Sequence, residues 1–282
     1  MLPVARLDHP SNDTQGVIPN CKVLVDTCPC KIENIANSNV AYQGKYADHV
    51  VKFCAFLSIN GYFLGLGRTV LYLGTSADNV ILDSELGFHQ YLEDFDCSAL
   101  ADGGFTRSER VHTPWKKDEI WPDPVPRDRT MRAQYTADGN AKLDRNARLC
   151  FWRARVEHAF GESLMGRFAL LKNYGGHSFE RLCGAFILAQ CVLNAESRVE
   201  KGPAGRYQVR PVTDADYAKS RIAQVGRYPE PGVAHPPTRR RREADLVPCT
   251  QPRISQWVIY QRGDPEPAAP PTDEDAPAEV DP

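Results

Sequence analysis

Apolar and polar positions in the first part of the chain follow the pattern of β-strands. Residues 21–33 are rich in apolar and β-branched side chains, and residues 49–73 contain two such runs on either side of Asn60-Gly61. Asn-Gly is the pair favoured in a type I′ turn, so the second segment predicts a β-hairpin. Residues 98–102 and 110–114 are shorter apolar runs and predict two further strands.

Three later segments have the signals of helices. Ser76 predicts the N-cap of a helix that continues to residue 92. Residues 178–197 predict another helix, with Ser178 as its cap. Between them, residues 143–164 carry apolar side chains at every third or fourth position, which predicts one buried helix face. This apolar stripe consists of Leu149, Trp152, Val156, Phe160 and Leu164.

The order of these elements predicts an α/β domain with a mixed sheet flanked by helices. Antiparallel strands come first, and a later strand follows a helical crossover. We assign this domain to residues 16–198, with a polar, proline-punctuated insertion loop at 116–140. An irregular segment at 1–15 precedes it. A basic, partly ordered extension at 199–262 and a disordered acidic tail at 263–282 follow it.

Composition excludes several classes of protein. No apolar run is long enough to cross a membrane, and the N-terminus lacks the charged and apolar regions of a secretory signal. The nine cysteines are scattered, which fits reduced thiols better than a disulfide framework. Cys28 and Cys30 form a pair, but no second pair at zinc-ligand spacing accompanies it. Buried free thiols are therefore the better interpretation.

The net charge of −2 conceals an uneven distribution along the chain. Residues 263–282 hold seven acidic residues, six prolines and no basic residue, whereas the remainder carries a net charge of +5. A basic body is compatible with a polyanionic partner, and equally with a role in solubility alone. The basic cluster at Arg239–Arg242 is compatible with a nuclear import signal, with a phosphate-binding arm, or with neither. We expect a nuclear protein.

Three acidic residues stand where the pattern makes a charge costly. Asp26 and Asp102 each follow a short apolar run, and Glu157 lies about 80° from Leu149 on a helical wheel, at the edge of the buried stripe. Each has an ordinary explanation, because aspartates form turns and Glu157 has Arg153 four residues earlier as a partner. A mixed sheet with flanking helices also allows the three carboxylates to meet. Such hard oxygen ligands suit Mg²⁺ or Mn²⁺, and two such ions can promote displacement at phosphorus.

Five stretches of the chain together carry a family resemblance. They are VDTCPCKIE, YQGKYADHVVKF, LGTSADNVILDSE, LADGGF and RARVEHAFG, in this order, and the resemblance covers roughly residues 16–195. Together they resemble the DDE catalytic domain of PIF/Harbinger-type transposases and their domesticated nuclease relatives. The resemblance implies an RNase H-like fold and a divalent-metal-dependent enzyme that cuts and joins DNA.

The resemblance also implies a role for each acidic residue. Asp26, Asp102 and Glu157 match the first, second and third acids of the catalytic triad. Asp78 matches an additional aspartate that is proposed to help bind the metal, although Ala77 stands where the family usually has histidine. An aspartate in the first turn of a helix is equally well explained by the helix dipole.

Three basic residues are implied as DNA contacts. Lys45 lies in a Y-x-G-K stretch that resembles the family's, where the lysine is in a position to contact phosphate. Arg153 and Arg155 are placed beside Glu157, along the expected path of the DNA backbone. A solvated loop lysine and solvent-facing arginines are the competing explanations.

Three functional hypotheses remain open. The first is a metal-dependent nuclease or transposase catalytic domain, and the second is a domesticated or truncated relative that binds DNA or a nuclear protein without cleaving. The third is an unrelated RNase H-like phosphoryl-transfer enzyme that acts on RNA. Family members generally carry a helix-turn-helix-like region before the first acid, whereas 25 residues precede Asp26 here. We therefore expect one of three situations: the chain is a fragment, its true start is missing from the sequence, or a separate protein targets it to DNA.

Overall fold

The computed structural model describes residues 14–33, 41–46, 48–65, 71–176, 178–201 and 212–232. Most of the irregular N-terminal segment, the basic cluster Arg239–Arg242 and the acidic tail lie outside these described residues. Within them, no helix has the length and apolar character needed to cross a membrane.

One mixed sheet forms the centre of the domain. Its strands are β1 (Cys21–Ile32), β2 (Tyr42–Gln43), β3 (Asp48–Ser58), β4 (Phe63–Leu64), β5 (Tyr72–Leu73), β6 (Ser98–Leu100), β7 (Val111–His112) and β8 (Asn173–Tyr174). The order across the sheet is β2-β3-β1-β6-β7, with β4 and β5 also paired to β3 and β8 to β1. β1 is antiparallel to β3 and parallel to β6, and β6 is parallel to β7. The long central strand β1 is thus bordered by one antiparallel and one parallel neighbour.

Helices cover both faces of this sheet. They are α1 (Asp78–Ser84), α2 (Leu86–Asp94), α3 (Lys117–Ile120), α4 (Arg129–His158), α5 (Ala169–Lys172), α6 (Phe179–Lys201) and α7 (Asp214–Arg227). A π-helical segment (Ala159–Met165) continues α4. The predicted α/β, RNase H-like fold class is confirmed by this mixed sheet and its flanking helices.

Alternation along β1 divides the core into two layers. Leu24 and Cys28 belong to the cluster that includes α4 and α6, whereas Val23 and Val25 belong to the cluster that includes α1 and α2. Successive strand residues point to opposite faces of a sheet. The side chain of Asp26 therefore points towards α4, and the next side chain along the strand points towards α1. This parity decides which acidic residues can meet.

The predicted helix stripe and the predicted hairpin are confirmed, except for the type of turn. All five stripe residues are buried. β3 and β4 pair antiparallel, with Phe56 opposite Leu64. A type I′ turn requires positive φ at both central residues, but only Gly61 has it, at 94°, and Asn60 does not. The chain turns through three residues, because the Ser58 N–H donates to the Tyr62 carbonyl oxygen at 2.8 Å.

The predicted insertion loop at 116–140 is wrong over its second half. α4 begins at Arg129, and Asp128 caps it by accepting from the backbone N–H of Thr130 and of Met131, both at 2.9 Å. This part of the helix shows no clear apolar stripe because its partner is α7, which contacts it largely through polar groups. One of these contacts is the hydrogen bond that Arg221 donates to Asn140 Oδ1 at 2.8 Å.

The predicted helix at 76–92 is two short helices, and Ser76 is not its cap. α1 begins after Ala77, which makes no side-chain capping bond. The chain breaks at buried Glu85, whose carboxylate accepts from the Tyr72 hydroxyl at 2.7 Å. Ser76 instead presents its carbonyl oxygen to the ammonium of Lys52 at 2.9 Å.

Gly139 provides a test of how α4 packs. A Cβ atom at this buried glycine would overlap the indole of Trp121. We therefore expect Gly139→Ala to lower the free energy of unfolding by about 1–3 kcal/mol, although alanine favours helix. Gly184 on α6 has open space around it, so Gly184→Ala is the matched control and should raise stability by roughly 0.5–1 kcal/mol. Equal effects of the two changes in urea unfolding would contradict this packing.

Candidate active site

The three predicted acids of the triad lie on three different elements of the fold. Asp26 is on β1, Asp102 lies two residues beyond the end of β6, and Glu157 is in the last turn of α4. Leu24 is paired with Leu100 in the parallel β1–β6 ladder. Asp26 and Asp102 each lie two residues beyond this pair, so they occupy neighbouring positions at the same edge of the sheet. The face parity of β1 turns Asp26 towards α4, where Glu157 is located.

Arg153 connects this group of acids. Its Nη1 lies 3.2 Å from Asp102 Oδ1 and its Nη2 lies 3.1 Å from Glu157 Oε1. The side chain of Arg153 is only 11% exposed, whereas those of Asp102 and Glu157 are 47% and 46% exposed. Burial opposes the charged guanidinium, but Asp102, Asp26 and Glu157 outweigh it and raise the pKa of Arg153. We call these four residues the acid–arginine cluster.

The pKa of the Asp26 carboxyl is raised above its ordinary value. Burial raises the pKa of its carboxyl to about 6, and Asp102 and Glu157 add to the increase. Arg153 and the backbone N–H of Thr27, which donates to Asp26 Oδ1 at 2.8 Å, oppose the shift without cancelling it. The site therefore holds more negative charge than its own arginine neutralises.

This raised pKa has a testable consequence for stability. Between about pH 4 and pH 6 the folded chain binds a proton at Asp26 that the unfolded chain has already lost, so stability falls as pH rises through this window. We expect Asp26→Asn to raise the free energy of unfolding at about pH 8, by on the order of 1 kcal/mol, and to have little effect near pH 4. Urea unfolding at both pH values tests this, with exposed Asp83→Asn as the control. A gain that does not depend on pH would contradict the assignment.

The donor set of the cluster fits a divalent cation in charge and in chemistry. Three carboxylates and one guanidinium leave a formal charge of −2, which one divalent ion would balance. Carboxylate oxygens are the ligands that Mg²⁺ and Mn²⁺ prefer. Among the described residues, however, no three His, Cys, Asp or Glu side chains are arranged as a metal site. Arg153, which two of the acids contact directly, occupies the position of the counter-ion.

Asp78 lies apart from the other three acids. It is on the α1 side of the sheet, where its Oδ1 accepts from Lys52 Nζ and from the Thr27 hydroxyl, both at 3.0 Å. The Lys52 side chain is 6% exposed, so this ion pair is largely buried. Asp78 still approaches the loop after β6, because a Cβ atom at Gly104 would lie 3.2 Å from Asp78 Oδ2. The ion pair with Lys52 was anticipated neither by the metal-binding interpretation of Asp78 nor by the helix-dipole interpretation, and a metal-binding role for Asp78 stays a prediction.

The three basic residues expected on DNA are placed very differently. Lys45 is exposed in the turn after β2, with its Nζ 5.4 Å from the ring of Tyr46, and it remains accessible. Arg155 is 2% exposed and donates to the Ile59 carbonyl oxygen at 2.5 Å, so its burial argues against a DNA contact. Arg153 is engaged by two carboxylates and is not free for the DNA backbone. The burial of Arg155 was not predicted from the sequence.

A second set of polar side chains near Asp102 was missed at the sequence level. It lines a cavity of about 260 Å³ and includes Lys116, Cys150 and Arg227. Arg227 belongs to α7, which lies in the segment expected to be a partly ordered extension. No local pattern signals this cavity, because it exists only where α7 docks on α4.

An α/β domain of RNase H type with three acids gathered at the edge of its sheet is the arrangement expected of a DDE-type nuclease. A model of the DDE superfamily endonuclease family matches residues 25–194, more than half of the chain, and the chain belongs to that family. The matched range contains Asp26, Asp102 and Glu157 and ends before α7. Neither the curated proteins nor the solved structures gave a significant match.

Proposed function

We propose that this chain is a divalent-metal-dependent DNA endonuclease of the transposase type, with Asp26, Asp102 and Glu157 as its acid triad. The observation that carries the proposal is the acid–arginine cluster, in which Asp102 and Glu157 both contact the Arg153 guanidinium and Asp26 lies close enough to interact electrostatically with all three. Family membership supports DNA as the substrate. The order of the five sequence stretches supports the finer PIF/Harbinger assignment.

The roles of the residues follow from their burial and charge. Asp26, Asp102 and Glu157 would hold Mg²⁺ or Mn²⁺. When bound, the metal would activate a water or a 3′-hydroxyl and stabilise the leaving oxygen of the phosphodiester. Asp26, with a pKa of about 6, is ionised above that pH and is then a strong candidate for a cation ligand. Arg153 would keep the acids together before the metal arrives, and Lys45 is an accessible group for phosphate contact.

A second candidate function is a related module that binds nuclear DNA or protein without cleaving it. One specific observation favours it, because Arg153 already partners the acids that a metal would need. Both candidates place the protein in the nucleus, and both accommodate a separate protein that directs it to DNA.

Nicking of supercoiled plasmid by the full chain distinguishes the two candidates. The catalytic candidate requires nicking in Mn²⁺ or Mg²⁺ and its loss in EDTA. DNA binding without nicking in either metal would favour the non-catalytic candidate. The plasmid supplies many sequences, so the experiment does not depend on knowing the target.

A further inference from the structure

The cavity beside Asp102 has walls that belong to four parts of the chain. Three of them are the loop that follows β6, the segment before α3 and the end of α7, and α4 supplies a fourth wall through Cys150 and Arg153. Arg153 of the acid–arginine cluster also lines it, so the cavity adjoins the proposed catalytic site directly. The residues used below are Asp102, Trp115, Lys116, Gln224, Arg227 and Tyr228.

Hydrogen bonds attach α7 and the residue after it to the rest of the domain. Arg221 donates to Asn140 Oδ1 at 2.8 Å, and buried Gln224 donates to Cys150 Sγ at 3.3 Å. The Trp121 indole N–H donates to the Tyr228 carbonyl oxygen at 2.9 Å. These contacts join the second half of α7, and the residue that follows it, to the rest of the domain. Because α7 lies beyond the family match, this wall is a feature of this chain that the family model does not include.

The lining combines positive charge with aromatic surface. Lys116, in the segment before α3, and Arg227, at the end of α7, are exposed cations in this lining. Arg227 lies over the ring of Tyr228 with its Cζ 5.2 Å from the centroid. The indole of Trp115 is held by Arg107, whose Cζ is 3.9 Å from the ring centroid. Proteins recognise single-stranded nucleic acid through cations that bind phosphate and aromatic rings that stack on bases. This lining contains both.

The geometry points to a subsite for one unpaired nucleotide of the DNA strand, next to the phosphate that is cut. The cavity is somewhat smaller than the roughly 300–1,000 Å³ typical of drug-sized ligands, which suits a single nucleotide. Arg227 and Lys116 contact its phosphate, and Tyr228 and Trp115 contact its base. This inference rests on the proposed function, because Asp102 places the subsite beside the reacting phosphate.

Binding measured without cleavage tests the subsite. The full chain in EDTA is titrated with a short duplex that carries one unpaired 2-aminopurine, and with the same duplex fully paired. We expect tighter binding of the unpaired form, with a change in 2-aminopurine fluorescence. Arg227→Ala and Tyr228→Ala should each weaken that binding at least about fivefold, while binding of the paired duplex changes less.

Two matched variants control for charge and for α7 itself. Arg198→Ala removes an exposed arginine from α6, and Ile222→Ala shortens an exposed side chain on α7, and neither residue lines the cavity. Both should bind like the unaltered chain, and melting temperatures confirm folding. Equal binding of the two duplexes, or variants that weaken both equally, would overturn the subsite but leave the proposed function standing. Failure to bind either DNA would also overturn the subsite, and plasmid nicking in Mn²⁺ or Mg²⁺ then decides the proposed function separately.

Discussion

Glu157→Gln is expected to reduce plasmid nicking at least about 100-fold. The change keeps the shape of the side chain and an oxygen for Arg153, but it removes the anionic oxygen that would bind the metal. Loss of a group that merely supports a metal ligand costs 10–100-fold, so loss of a proposed ligand should cost at least the upper end of that range. Because Glu157 is 46% exposed, stability should change by no more than about 0.5 kcal/mol.

The matched control for this change is Glu93→Gln. Glu93 is an exposed residue of α2, which packs on the other face of the sheet. Nicking by this variant should equal that of the unaltered chain. Nicking that survives in Glu157→Gln, in a chain that remains folded, would remove Glu157 from the triad.

Arg153→Met is expected to destabilise the folded chain by about 2 kcal/mol near pH 8. Removing one partner of a buried ion pair costs about 3–5 kcal/mol, and the half-exposed positions of Asp102 and Glu157 reduce that figure here. The loss arises because the three carboxylates then repel one another without a counter-ion. Urea unfolding measures it, and lowering the pH below about 6 should recover part of the loss as Asp26 takes up a proton.

A metal ion should restore stability to the Arg153 variant. A divalent ion that binds only the folded chain stabilises it by mass action, and the cluster without its arginine has the greater need of positive charge. Mn²⁺ should therefore raise the unfolding free energy of Arg153→Met more than that of the unaltered chain. Arg198→Met, at an exposed site, is the control and should show neither loss nor rescue. A loss below about 0.5 kcal/mol in Arg153→Met would show that Arg153 does not hold the acids together.

The sheet and the buried helix face were predictable because the spacing of apolar residues along each segment already indicates a strand or a helix. The run before Asp26 and the stripe from Leu149 to Leu164 are buried as expected. The start of α4 was missed because residues 129–140 are polar, and their partner is a helix far along the chain. The Asp128 cap, the packing of Trp121 on Gly139 and the hydrogen bond from Arg221 of α7 to Asn140 together explain why these residues form a helix instead of a loop.

The candidate site was predictable in part. Sequence signals selected Asp26, Asp102 and Glu157, and the strand register together with the face parity of β1 explains how they come together. The i−4 spacing of Arg153 to Glu157 suggested an ion pair, which the structure contains. The same spacing gave no indication that Arg153 also reaches Asp102. The sequence could not show that Asp78 lies on the other face of the sheet from Asp26. That placement is visible only in the structure, where Asp78 accepts a hydrogen bond from Thr27, which points away from α4.

Calorimetric titration with Mn²⁺ tests the central claim, metal binding by the proposed triad, most directly. The unaltered full chain is compared with Asp102→Asn, and each titration is repeated with a short DNA duplex present. The proposed triad requires saturable Mn²⁺ binding by the unaltered chain and its loss in Asp102→Asn. The DNA repeat is included because phosphate oxygens can supply ligands. Negligible binding by both chains, with and without DNA, would contradict a metal-dependent site and leave the non-catalytic module as the function of this protein.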